Sequence, residues 1–120
     1  MRETLSIAKA LSDESRLRAL VAVKDGELCL CQLIEVLGLS PATVSKHMTI
    51  LEQSGLVQRR RRGKWRFYRL ADGAPSGAAW RALAWVLEEL RTDPRLIADA
   101  RKIRNVRRQE LTELSACYRN

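Results

Sequence analysis

A mainly α fold carrying one β-hairpin, assembled as a homodimer, is predicted by three features of this 120-residue sequence. Two helical stretches, 27–37 and 41–54, are separated only by Gly38-Leu39-Ser40. A cation-rich stretch with strand-forming aromatics, 57–70, follows directly. Further on, residues 78–91 have helical spacing but are apolar nearly all round. Two helices joined by a short Gly-containing turn make a helix-turn-helix, and a hairpin beside it makes a wing. A helix apolar on both sides must be covered on both sides. Together these give a single winged helix-turn-helix domain that is homodimeric.

The elements can be justified in order. Leu5, Ala8 and Leu11 share one helical face, so 3–10 is a short helix. Ser12-Asp13-Glu14 offers an N-cap followed by acids, and Leu17, Leu20 and Val21 continue the next helix until Asp25-Gly26. Residues 27–37 form a third helix with Leu30, Leu33, Ile34 and Leu37 inward, closed by Gly38. Ser40 is an N-cap and Pro41 a first helical residue; Val44, Met48 and Leu51 then make a buried stripe. The opposite, polar face carries Thr43, Lys46 and His47, which suits entry into a major groove. Gly55 ends that helix.

Residues 57–70 form a hairpin with Arg62-Gly63 at the turn. Six of the eight residues 59–66 are cationic, more than edge protection of a strand requires. Residues 71–77 form a loop. In the helix 78–91, Trp80, Leu83, Ala84 and Leu87 make one apolar stripe and Ala79, Ala82, Val86 and Leu90 another. In so small a chain one stripe faces the core and the other a second subunit, with 3–10 contributing to the contact. Asp93-Pro94 opens a last, Arg/Lys-rich helix running to about Leu114. The DNA-reading part is therefore about 27–70, the dimerisation helices about 3–10 and 78–91, and the C-terminal helix and tail about 94–120.

Composition narrows the function. There are 22 Lys and Arg against 14 Asp and Glu, for a net charge of +8. Double-stranded DNA is the polyanion such a surface fits, through counterion release. No stretch is long and apolar enough for a membrane span or a signal peptide, so a cytoplasmic protein with no membrane partner is expected. No nucleophile–base set, paired carboxylates or Gly-rich phosphate loop suggests an enzyme. The three cysteines, Cys29, Cys31 and Cys117, are too few and odd in number for a disulfide framework.

Several segments resemble the ArsR/SmtB family of metal-responsive repressors. Leu11-Ser12-Asp13-Glu14-Ser15-Arg16-Leu17-Arg18 is similar to the family's opening signature. Glu27-Leu28-Cys29-Leu30-Cys31-Gln32-Leu33 is similar to the thiol motif of its arsenic and cadmium sensors. Ser40 to Met48 resembles the recognition helix, and Gly63-Lys64-Trp65-Arg66-Phe67-Tyr68-Arg69-Leu70 the wing. The resemblance implies a homodimer that binds a palindromic operator and leaves it when an inducer binds. It assigns DNA contact to Ser40, Thr43, Ser45, Lys46 and His47 on the helix, and to Arg61, Arg62 and Lys64 on the wing. The chain departs from the pattern in three places. Ile34 stands where classical arsenic sensors have a third cysteine. No cysteine precedes Cys29, unlike the cadmium and lead sensors. Residues 78–91 lack the His of the zinc sensors.

Soft thiolates select soft ions. The expected inducer is arsenite, with antimonite as an alternative ion, held by Cys29, Cys31 and Cys117; no organic cofactor is expected. Residues i and i+2 of a helix lie about 200° apart. Ligation is accordingly expected to unwind or shift the first turn of residues 28–37 and so to misplace the two DNA-reading helices of the dimer. The competing readings are a repressor answering to redox or another soft metal, and an unregulated DNA-binding protein.

Overall fold

The computed structural model describes residues 1–72 and 76–116. Within them the order is α1 (Arg2–Leu11), α2 (Glu14–Ala22), β1 (Leu28–Cys29), α3 (Leu30–Leu37), α4 (Pro41–Gln53), β2 (Val57–Arg62), β3 (Trp65–Leu70), α5 (Gly77–Glu89), α6 (Pro94–Arg108) and α7 (Leu111–Ala116). No helix among the described residues is long and apolar enough to cross a membrane.

Local chemistry sets most boundaries. Asp13, Ser40, Ser76 and Asp93 each accept a backbone N–H from the first turn of the helix that follows, satisfying donors with no partner inside the helix. Gly38 ends α3 at φ +69°, with its N–H on the Ile34 carbonyl at 2.9 Å. A Cβ there would meet no atom within 4 Å, so the cost of adding one is purely conformational. Gly38→Ala is expected to lower stability by about 1 kcal/mol, seen as a lower urea midpoint at unchanged slope. An unchanged midpoint would mean the turn relaxes out of the left-handed region.

The main core gathers Leu20, Leu33, Met48, Leu51, Leu56 and Tyr68, all fully buried, and so clamps α2, α3, α4 and the wing root together. Val44, Met48 and Leu51 form the buried stripe of α4, as their spacing predicts. A smaller cluster contains Cys29, Cys31, Val36, Val106 and Leu114, with Trp65, Phe67, Ile103 and Leu111 against it.

Three expectations need correction. The helix expected over 27–37 begins only at Leu30, because Leu28 and Cys29 are extended and pair with Tyr68 and Phe67 of β3. A two-residue strand is too short for a period to reveal it. The sheet is thus three-stranded and antiparallel, in the order β1-β3-β2. The hairpin turn is Gly63-Lys64 rather than Arg62-Gly63, since Arg62 pairs with Trp65. Gly63 has φ +60° and no non-glycine residue among those described, Lys64 included, has a positive φ, the backbone pattern of a type II′ turn. Finally, the C-terminal helix breaks at Gln109, whose ψ of 148° is extended, and α7 folds back against α3. Residues 73–75 of the expected loop lie outside the described residues.

One polar contact inside the fold has no counterpart in the sequence pattern. Arg18 of α2 and Asp99 of α6 are both buried, at 5% and 2% exposure. Arg18 Nε donates to Asp99 Oδ2 at 2.8 Å and Nη2 to Oδ1 at 3.0 Å, and the guanidinium also reaches the Val36 and Leu37 carbonyls. This two-pronged pair fixes α6 across α2 and α3.

Candidate nucleic-acid interface and thiol site

The residues expected to meet DNA lie on α4 and the β2–β3 wing. Ser40, Thr43 and Lys46 are exposed. The Ser40 hydroxyl is engaged locally, accepting the Thr43 N–H and donating to Thr43 Oγ1 at 2.8 Å. Ser45 and His47 are half-buried and hold internal partners: Arg66 Nη1 donates to Ser45 Oγ at 3.3 Å, and Arg16 Nη1 lies 3.2 Å from His47 Nδ1. Arg16 also donates to the Ala10 and Lys9 carbonyls, so it ties α1, α2 and α4 together. Neither Arg16 nor Arg66 was singled out by sequence pattern; an arginine's partner cannot be read from its neighbours.

The six cations of the wing divide into two groups. Arg59 is 3.5 Å from Glu52, Arg60 bonds Glu27 and lies over the Phe67 ring at 4.8 Å, and Arg66 is on Ser45. Arg61, Arg62 and Lys64 are exposed, with no ion pair among the described residues. Only Lys64 has a near neighbour, the Trp65 ring, at 5.4 Å. The tip therefore presents three cations outward, while those of the base are engaged, Arg59 and Arg60 by carboxylates and Arg66 by a hydroxyl.

On α5, Ala79, Leu83 and Val86 face the core, whereas Trp80 and Trp85 are 61% and 60% exposed. Leu5 of α1 is exposed on the neighbouring helix. Two tryptophans open to water form the kind of apolar surface that a partner covers.

The thiol pair sits where β1 turns into α3. Cys29 is the N-cap of α3, in extended conformation, and Cys31 lies one position inside the helix. Instead of pointing apart, their sulfurs are 3.1 Å from each other. Both are buried, at 2% and 6% exposure, and free of a disulfide. The premise that the two thiols point apart is therefore overturned: the extended Cys29 already aims its sulfur at that of Cys31. Gln32 completes the arrangement as a capping box, its Oε1 accepting the Cys29 N–H at 2.7 Å while its own N–H faces the Cys29 sulfur. The Gln32 Nε2 reaches the Val106 carbonyl of α6 at 3.4 Å. Among the described residues no set of three or more His, Cys, Asp or Glu side chains surrounds the pair, and Cys117 lies outside the described residues.

The two thiols differ electrically. The Cys31 S–H donated to it lowers Cys29 to about 7, with help from the N–H groups of Cys31, Gln32 and Arg66 and against the effect of burial. Cys31 moves strongly upward, because its proton is held by Cys29 and because it is buried. One thiolate and one thiol sharing a proton is the state expected near neutrality. With a small methylating disulfide as reagent, Cys29 is expected to react before Cys31, its rate rising with pH through a midpoint near 7. Peptide mass spectrometry checks both points; a midpoint above 8 would contradict the shared proton.

A helix-turn-helix followed directly by a basic two-stranded hairpin, packed on one core, defines a winged helix-turn-helix protein. The family model described as bacterial regulatory protein, arsR family, matches residues 13–59. The chain belongs to the ArsR family, whose members are regulators and not enzymes. It is 39% identical over 79 residues to the arsenic resistance transcriptional regulator ArsR1 of Pseudomonas putida, covering 62% of each chain. It is 40% identical over 76 residues to the arsenical resistance operon repressor of Escherichia coli, covering 62% of this chain and 65% of that one. The chain thus spans somewhat under two thirds of the length of these relatives. Among solved structures, the homodimeric winged helix-turn-helix DNA-binding domain Mb0332 of Mycobacterium bovis superposes with a TM-score of 0.63 at 26% identity, over 78% of this chain and 82% of that one.

Proposed function

We propose that this chain is a homodimeric transcriptional repressor that binds operator DNA through α4 and the wing, and leaves it when arsenite binds its cysteine thiolates. The observation that carries the reading is the convergence of Cys29 and Cys31 at 3.1 Å, buried beside the wing root. Two convergent thiols with one already acidic suit a thiophilic ion, and trivalent arsenic is satisfied by three such ligands. Cys117 is the third ligand in this reading. Its support is position along the chain: Leu114, three residues before it, packs in the cluster that holds Cys29 and Cys31. Antimonite would fit the same donors. Relatives named an arsenic resistance regulator and an arsenical resistance repressor support arsenic, and one named for cadmium resistance keeps another soft ion as the alternative.

DNA contact is assigned to Ser40, Thr43, Ser45, Lys46 and His47 of α4 and to Arg61, Arg62 and Lys64 of the wing. Ser45 and His47 act with their internal partners, Arg66 and Arg16, so their role includes setting the angle of α4. The subunit contact is assigned to α1 and α5, where Trp80 and Trp85 are otherwise open to solvent. The cytoplasm is the compartment in which reduced thiols and DNA are both available.

The test is fluorescence anisotropy of the reduced protein on its own upstream DNA, titrated with arsenite, beside Cys117→Ser. DNA release at low arsenite, blunted in the variant, is the expected result. Equal release in both would confine the site to Cys29 and Cys31. No release in either would overturn arsenite as the signal.

A further inference from the structure

We propose that Arg66 is the positioning residue through which the thiol pair acts on the recognition helix: one of its ends touches Cys29 and the other holds Ser45. This rests on the reading of Cys29 and Cys31 as the inducer site and adds how that site reaches DNA.

The placement follows from the sheet. Cys29 of β1 is paired with Phe67 of β3, next to Arg66. That pairing sets the Arg66 backbone beside Cys29, where its N–H helps to lower the thiol. Its neighbours Trp65 and Phe67 wall the thiol cluster. Successive side chains of a strand point to opposite faces, so the Arg66 side chain leaves on the face away from Trp65 and Phe67. There its Nη1 donates to Ser45 Oγ on α4 at 3.3 Å. Arg66 is half-buried, unlike the exposed cations Arg61, Arg62 and Lys64 beyond it. A single residue thus spans from the sulfur to the DNA-reading helix, with no intervening side chain.

Among the described residues the α4 helix has three side-chain ties to its neighbours: Arg16 reaches His47 from α2, and from the wing Arg66 reaches Ser45 and Arg59 lies 3.5 Å from Glu52. Of the three arginines, only Arg66 adjoins the residue paired with Cys29. A sulfur that is ligated has less charge to offer an N–H donor, so occupation of Cys29 weakens the grip on Arg66 at one end. The strand residue then shifts at its other end, and with it the angle between wing and α4. A ligand changes DNA affinity only by what it changes between two such states, and the change is reciprocal.

The test uses the full-length reduced protein and three variants: Arg66→Met, which keeps the N–H and the chain length but loses the guanidinium, Cys29→Ala, and the two combined. Two quantities are read by anisotropy on the same DNA. The first is the ratio of Kd with saturating arsenite to Kd without it, with arsenite uptake followed separately by thiolate-to-arsenic absorbance. Arg66→Met is expected to take up arsenite like the parent and to reduce the ratio by about tenfold, within the usual range of coupling between sites. The second is the metal-free effect of Cys29→Ala on Kd, which should be present with Arg66 and absent with Met at that position. Equal weakening of DNA binding with and without arsenite would make Arg66 a plain DNA contact and overturn the proposal. So would additive effects in the metal-free cycle. A parent that ignores arsenite while the metal-free cycle is non-additive would remove arsenite as the signal and leave the link through Arg66 standing.

Discussion

Asp99→Ala is expected to cost about 3–5 kcal/mol, because it leaves the Arg18 guanidinium charged and buried with its main partner gone. The Val36 and Leu37 carbonyls, at 3.2 and 3.4 Å, remain but carry no charge to balance it. Against a typical stability of about 5–15 kcal/mol this is a large share. Urea unfolding followed by circular dichroism should show it as a large drop in midpoint. Arg18→Met combined with Asp99→Leu should recover most of the loss, since an apolar pair of similar volume carries no desolvation cost. A loss near 1 kcal/mol for the single change, the size expected of an ordinary hydrogen bond, would show that water reaches Arg18 and that α6 is held chiefly by Ile103 and Val106.

The second large effect concerns DNA. Neutralising Arg61, Arg62 and Lys64 together is expected to weaken binding to operator and random DNA alike and to flatten the dependence on salt. Each cation seated on a phosphate adds roughly 0.9 to the slope of log affinity against log salt, so the triple variant should lose roughly 3 per wing. Arg60→Ala serves as the contrast. Its charge is already met by Glu27 and the Phe67 ring, so its removal should change the slope much less. Equal slopes for the triple variant and the parent would take the wing tip off the DNA.

How much of this could be read beforehand depends on the range of the interactions. The α4 helix was legible because its cap, its Pro41 and its stripe of Val44, Met48 and Leu51 are all local signals. The wing was legible because charge and aromatic residues alternate around a glycine, although its turn moved by one residue. Strand β1 was not legible: Leu28 and Cys29 are extended only because Tyr68 and Phe67, about forty residues away, pair with them. That one miss reversed the geometry of the thiols, since a helix over 27–37 sets Cys29 and Cys31 apart and a strand-to-helix junction brings them together. The Arg18–Asp99 and Arg66–Ser45 contacts were hidden for the same reason. Their partners are 81 and 21 positions apart, and nothing local marks them. The residues named for the candidate site were legible as types, while their internal partners were not.

The Cys29 sulfur stands where a serine, threonine or aspartate oxygen usually closes the start of a helix. It faces the Gln32 N–H in a capping box, and the N–H groups of Cys31, Gln32 and Arg66 all help to lower its thiol. Under the proposed function, the helix cap and the ligand draw on the same sulfur. A soft ion or electrophile that took this sulfur would compete with the amide groups at the start of α3. A serine at this position would keep an oxygen for the cap and lose the soft donor, so under the proposed function Cys29→Ser is expected to fold as the parent does and to lose its response to arsenite.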